Sequence, residues 1–324
     1  MPHTVTHESG ALDAFAPQAC ALPLRPFGRK GEMLPALGLG GQSLIQNAPD
    51  DESAVEMIRR AVELGIRYID TAPLYGESEV RIGMAVEAMR DRVFLATKTV
   101  YRRASSARRS LERSLQRLRT GYVDNYQLHC LMHPSEVKAV FARDGVIRMV
   151  EKAREEGLIR HVGITGHFVP SVLSEMLRRY PFDSVLIPVN PADPLSYSFT
   201  ADTLEVARKT GASVVAMKVM GAGLLTHGGI DPAALLRYAL SWPVSIAIVS
   251  CRSIADVEHN VRAACAFSPM TAQEMRRMEG ESPELFARCN AIYKRHSGRS
   301  GLKVELRNYL ASVLCRRLPG WRHF

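Results

Sequence analysis

The feature that most restricts what this chain can fold into is a repeat of architecture: strand-like apolar runs alternate with amphipathic helical patterns along most of its length. The runs are Ala36 to Gly40, Ile66 to Asp70, Val93 to Lys98, Val123 to His129, His161 to Thr165, Ser184 to Asn190, Ser213 to Lys218 and Ser245 to Ser250. Their last residues are spaced by 30, 28, 31, 36, 25, 28 and 32 positions, which leaves room for one βα unit in each interval. The first interval shows how a unit is written. Asp50 or Asp51 can cap a helix start, Val55, Ile58, Ala61 and Val62 share one face, and Gly65 can take the left-handed conformation that ends the helix. Comparable helices are predicted at Ser106 to Leu118, Val146 to Glu156, Val169 to Tyr180, Ala201 to Lys209, Pro232 to Leu240 and Ile254 to Ala264. Eight such units predict a closed (β/α)8 TIM barrel of the α/β class. An open doubly wound sheet alternates in the same way, but its nucleotide fingerprint is missing. Ser43 stands where the third glycine of G-x-G-x-x-G should follow Gly38 and Gly40, and Gly221-Ala222-Gly223 runs into Leu224-Leu225-Thr226.

The barrel is expected over residues 23–270, with a short hairpin around Leu24 to Leu34 at its start. An N-terminal arm, 1–22, precedes it and a helical extension, 271–324, follows. In the extension Leu302, Leu306, Leu310, Val313 and Leu314 share a helical face. The formal charge of +9 hints at nucleic acid, yet Phe286 to Phe324 alone holds nine Lys or Arg against the single Glu305. Basicity therefore belongs to the tail and says little about the barrel's ligand. With 46% hydrophobic and 23% charged residues and no apolar run of the ~18 residues a membrane span needs, the composition is that of a globular chain without a transmembrane segment. The first residues show neither a basic n-region nor an apolar stretch, so a cytoplasmic address is expected. The cysteines at 20, 130, 251, 265, 289 and 315 lack the close spacing of zinc or redox motifs, and reduced thiols are expected.

In a barrel of this kind chemistry sits at the carboxyl ends of the strands. Three successive ends are polar: Asp70, with Tyr75 in the loop beyond it; Lys98; and His129. Each has a plain reading, as a turn cap, a surface aromatic or a core histidine. Lys98 is harder to dismiss, because a lysine closing an apolar strand is buried and needs a carboxylate, and Asp70 on the neighbouring strand is the candidate. Phosphates in barrels are commonly held after strands seven and eight, where Gly221-Ala222-Gly223 and Ser250-Cys251-Arg252-Ser253 stand. His129, His133, His161 and His167 also admit a metal-dependent hydrolase, but no H-E-x-x-H and no early His-x-His is present, and no metal site is expected.

These residues resemble the aldo-keto reductases, with their Asp, Tyr, Lys and His tetrad. The resemblance covers about Leu24 to Ala266 and includes Leu37-Gly38-Leu39-Gly40, the Asp-Thr-Ala-x-x-Tyr-Gly motif at Asp70 to Gly76, and Asn260 in the last barrel helix. It implies reduction of an aldehyde or ketone to an alcohol by hydride from NADPH, with NADH as the alternative cofactor, a small carbonyl compound as substrate and no nucleic acid. It implies Asp70, Tyr75, Lys98 and His129 as catalytic residues. It implies Gly40, Gly41, Thr165, His167, Asn190, Met217, Lys218, Gly221, Gly223, Ser250, Arg252 and Asn260 as the cofactor site. It equally admits a nicotinamide-binding regulatory or redox-sensing barrel with little turnover.

The chemistry is intelligible from the residue types. Hydride arriving at a carbonyl carbon leaves negative charge on oxygen, so a proton donor must stand beside it, and Tyr75 can be that donor. A lysine charge ~4 Å away, at an effective dielectric of ~20, favours tyrosinate by ~4 kcal/mol, and burial opposes part of this. His129 would hydrogen-bond the substrate oxygen. Departures from the family pattern fall on the cofactor side. Thr165-Gly166-His167 replaces a Ser-Asn pair, Asn190 replaces a longer Gln, Met217 replaces a stacking aromatic, and Asp256 stands where many relatives carry a basic residue.

Overall fold

The computed structural model describes residues 21–42 and 48–293. A hairpin comes first, β1 (Leu24–Phe27) paired antiparallel with β2 (Glu32–Pro35). Eight parallel strands follow: β3 (Leu37–Gly40), β4 (Tyr68–Asp70), β5 (Phe94–Thr99), β6 (Val123–Leu128), β7 (Ile159–Thr165), β8 (Ser184–Pro188), β9 (Ser213–Met217) and β10 (Ile246–Val249). They close in sequence order, β10 pairing with β3, so the eight predicted runs form the (β/α)8 barrel.

The outer helices are α1 (Asp51–Glu63), α2 (Ser78–Val86), α3 (Ala104–Arg117), α4 (Pro134–Val140), α5 (Val146–Glu155), α6 (Pro170–Arg179), α7 (Thr203–Thr210), α8 (Leu224–His227), α9 (Pro232–Ser241) and α10 (Ile254–Cys265). Helix α1 is capped by Asp50, whose side chain accepts from the Ser53 N–H, and Gly65 follows it at φ +93°. Past the barrel lie α11 (Ala272–Glu279) and α12 (Pro283–Tyr293). The helical face expected at Leu302 to Leu314 and nearly all of the N-terminal arm lie outside the described residues. No helix among the described residues is long and apolar enough to cross a membrane.

Two cores result from the alternation of side chains along the strands. The larger lies between strands and helices and includes Leu37, Ile69, Leu95, Tyr126, Ile164 and Val249. The smaller fills the barrel with Tyr68, Phe94, Ala96, Leu186, Val215, Met217, Ile246 and Ile248. The hairpin closes the amino-terminal end of that interior: Phe27 packs on the rings of Tyr68, Phe94 and His161 at 5.7, 4.9 and 5.5 Å between centroids. Arg25 ties the hairpin to the turn before β10 by donating to the carbonyls of Leu240 and Val244. One end of the barrel is thus sealed and the other is left for chemistry. Cys130, Cys251 and Cys289 are buried free thiols, as expected.

Candidate active site

Because the strands are parallel, their carboxyl ends share one rim, and Gly40, Asp70, Lys98, His129, Thr165, Asn190, Lys218 and Ser250 stand at or just beyond the eight ends in order. Lys98, all but fully buried, donates from Nζ to Asp70 Oδ2 at 2.5 Å and to the Thr71 carbonyl at 2.8 Å. The carboxylate predicted for it is therefore in place. The loop after β4 turns back at once, with the Tyr75 N–H on the Ala72 carbonyl and the Ser78 N–H on the Tyr75 carbonyl. Gly76 supplies the left-handed φ of +53° that this turn requires. Tyr75 is so placed that Lys98 Nζ lies 5.0 Å from its ring centroid. The His129 ring meets it edge-on at 6.0 Å.

Burial sets the electrostatics. It pulls the Lys98 ammonium below the ordinary lysine range, and Asp70 opposes the pull. His129 is driven well below the usual histidine value, first by burial and then by the charge of Lys98, so near neutrality its ring is uncharged. Its Nδ1 is buried without a hydrogen-bond partner among the described residues. His167 is likewise pushed down to about 3, by burial and then by Lys218 and Lys98. The mouth thus holds two lysines and two neutral imidazoles.

The predicted cofactor residues divide by what their side chains already do. Gly40 and Gly41 are tightly packed, since a Cβ at Gly41 would lie 2.6 Å from Ser78 Oγ and one at Gly40 3.2 Å from Ser250 Oγ. Thr165 accepts the Cys130 N–H, and Asn190 donates to the Lys218 carbonyl while accepting the Ala192 N–H. Met217 belongs to the barrel core. Arg252, largely exposed, has its guanidinium 3.8 Å from Asp256, which also accepts the Arg252 N–H. Asn260 contacts Cys251 Sγ, and its Oδ1 is buried without a partner among the described residues.

After β9 the backbone is left-handed at Lys218, Gly221, Ala222 and Gly223. The Lys218 ammonium makes no ion pair among the described residues, and the groups it senses are Cys130, Lys98 and Cys289, none of them a carboxylate. A half-buried cation with no ion pair among the described residues, a run of left-handed residues whose amides can converge and an orphaned amide oxygen suit the phosphates and polar edges of a dinucleotide. The residues present fit that group.

Sequence reasoning missed two residues. Gln127 donates to Asp70 Oδ1 from inside the barrel. Arg102 donates to the carbonyls of Thr99, His129 and Cys130 and pairs with Glu136, clamping the ends of β5 and β6. Period-two alternation on β6 groups Gln127 with His129 and was the available signal; nothing in the sequence marks Arg102. Of the four histidines that admitted a metal site, only His129 and His167 share the mouth. His161 sits at the sealed end, 3.7 Å from Asp183, and His133 caps α4. No group of three or more His, Cys, Asp or Glu among the described residues is arranged to hold a metal.

The sequence model of the aldo/keto reductase family matches residues 36–235. An uncharacterized oxidoreductase of Bacillus subtilis is 29% identical over 224 residues, 65% of this chain and 69% of the relative. L-galactose dehydrogenase of Arabidopsis thaliana is 30% identical over 223 residues, 64% and 68% of the two chains. Among solved structures, an aldo-keto reductase from Bacillus halodurans in its holo form superposes with a TM-score of 0.68 at 25% identity, covering 80% of this chain and 96% of that one. This chain belongs to the aldo/keto reductase family. It is an oxidoreductase that works with a nicotinamide cofactor.

Proposed function

We propose that the protein reduces an aldehyde or ketone to the alcohol, that NADPH rather than NADH is its cofactor, and that it does so in the cytoplasm. The barrel, 23–270, is the catalytic and cofactor-binding unit, and 271–324 is an extension of it. Lys218, Gly221, Gly223, Ser250, Arg252 and Asn260 would hold the dinucleotide on the side of β9 and β10, with Thr165, His167, Asn190 and Met217 nearer the nicotinamide. The bound cofactor supplies the hydride. The chain supplies the proton: Tyr75 donates from its hydroxyl to the developing alkoxide. The Lys98 ammonium stabilises the phenolate that remains, and Asp70 keeps that ammonium charged in a buried setting. His129, neutral, offers an N–H to the substrate oxygen before and during transfer.

The observation that carries this reading is the Lys98 ammonium held by Asp70 and the Thr71 carbonyl, with its Nζ 5.0 Å from the Tyr75 ring. Val100, Tyr101, Leu195 and Tyr197, exposed in the loops after β5 and β8, would give the rest of the substrate an apolar rim. Relatives that include methylglyoxal reductases support a small carbonyl compound. The test is cofactor oxidation followed across a panel of aldehydes, ketones and quinones. Turnover with at least one class at rates above the no-substrate background is expected; binding of cofactor with no turnover on any of them would contradict the proposal.

A further inference from the structure

Along β6 and the residue just past it, Asn125, Gln127 and His129 alternate with Tyr126 and Leu128, and they form a column that runs from the barrel's middle to its mouth. Gln127 is the middle member. It is fully buried, it stands beside Lys98 in the strand register, and its Nε2 donates to Asp70 Oδ1 at 3.0 Å. The other oxygen of the same carboxylate, Oδ2, receives Lys98 Nζ. Asp70 is therefore held from two sides, by a cation on β5 and by an uncharged amide on β6. The amide's place is prepared by Gly163 on β7, where a Cβ would lie 3.1 Å from Gln127 Cγ.

We infer that Gln127 is a positioning residue for carbonyl reduction: by anchoring Asp70 Oδ1 it fixes which Asp70 oxygen, and so which place, the Lys98 ammonium takes beneath Tyr75. The inference rests on the proposed role of Tyr75 as proton donor. An ionised carboxylate offers both oxygens to a lone cation. Without the amide, Asp70 is free to turn and engage Lys98 with both, which moves Nζ relative to the phenol. A cationic donor in the same place would anchor Asp70 equally well but would neutralise it, and Lys98 would lose the anion that offsets its burial. A neutral donor anchors without that loss. The titratable and charged groups facing Lys98 are Asp70, Tyr75, Glu79, Cys130, His129, His167 and Lys218, and among the described residues only Asp70 hydrogen-bonds it with a carboxylate.

The test compares steady-state kinetics of the full-length parent with Gln127→Met, which keeps length and removes the donor, and Gln127→Glu, which keeps length and replaces the donor by an acceptor. Asn125→Leu serves as the control. Asn125 bonds Tyr68 and Ser184 one layer deeper and does not touch Asp70. Both Gln127 variants are expected to lose kcat by ~10- to 100-fold, the scale of a small misplacement of a catalytic group, with KM for the carbonyl and Kd for the cofactor unchanged. Asn125→Leu is expected to lower Tm while keeping kcat. Unchanged kcat in a Gln127 variant that binds cofactor overturns the inference. So does a fall in kcat that is matched in Asn125→Leu at equal loss of Tm. If Gln127→Met does not fold, Gln127→Glu decides by the same two criteria, and loss of folding in both, with Asn125→Leu folded, assigns Gln127 to stability and overturns the positioning role. Tyr75→Phe, run beside them, separates the two readings: full activity there removes the proton-donor proposal itself, whereas an inactive Tyr75→Phe with fully active Gln127 variants removes only the role of Gln127.

Discussion

Lys98 shows at the scale of one residue how fold and chemistry constrain each other. Its ammonium is buried and would be costly there but for Asp70, and the same pairing is what a nearby phenol needs. Replacing Lys98 with Met should abolish most turnover and also lower stability by ~3–5 kcal/mol, the scale for leaving one partner of a buried pair unmatched. A thermal melt beside the activity assay checks both; a variant as stable as the parent would show that Asp70 finds another partner. Arg252 makes a weaker claim. Its guanidinium is exposed and already faces Asp256, so Arg252→Ala should weaken NADPH binding more than NADH, by a modest factor, and equal effects on the two cofactors would remove it from the phosphate site. The four tetrad residues were legible because each closes or directly follows an apolar run, where a polar side chain is conspicuous. Gln127 was passed over although period-two alternation sets it on the same face as His129, because nothing in the sequence names Asp70, two strands away, as its partner. Arg102 was not legible because the carbonyls it binds at His129 and Cys130 are 27 and 28 positions away.

At the scale of elements, the strands and most helices followed from periodicity, and those that did not were short. Helix α4 spans only seven residues, held by a capping box between His133 and Glu136, and α2 runs for nine before giving way to a 3-10 turn; such lengths give periodicity too few turns to register. Helix α12 was foreseen as helix but not as part of the rim. Asn290 donates to the Ala192 carbonyl and Cys289 Sγ lies on the Gly221 carbonyl, so this helix supports the loops after β8 and β9. At the sealed end, Asp183, in the turn before β8, is bound to β7 through the Val162 N–H and the His161 ring. Burial raises its carboxyl, but these partners outweigh burial and hold it below the ordinary 3.8. A depressed carboxyl contributes its stability above the unfolded value and loses it as pH falls through the folded one. Asp183→Asn should therefore be less stable than the parent at neutral pH, and the difference should shrink in melts taken at progressively more acid pH as the parent's carboxyl protonates. A difference that persists there would assign the effect to packing.

The described residues form a barrel with one end stopped by an aromatic plug and the other rimmed by eight strand ends, seven of which carry a polar side chain. If Lys218, which has no ion pair among the described residues, and the left-handed run beyond it receive the cofactor's phosphates, binding should stabilise the folded state. NADPH at about 100 times its Kd should add ~2.7 kcal/mol, read as a rise in Tm, and Lys218→Met should lose most of that rise; an undiminished rise would place the phosphates elsewhere. The central claim is that Tyr75 delivers the proton. It is tested most directly by single-turnover reduction of the best carbonyl substrate, under conditions where chemistry limits the rate, in parent and Tyr75→Phe. The change removes one oxygen at a half-buried ring, so cofactor affinity and Tm should hold while the rate falls by about two to four orders of magnitude, the range for a general acid. A Tyr75→Phe enzyme that reduces its carbonyl as fast as the parent would contradict the account.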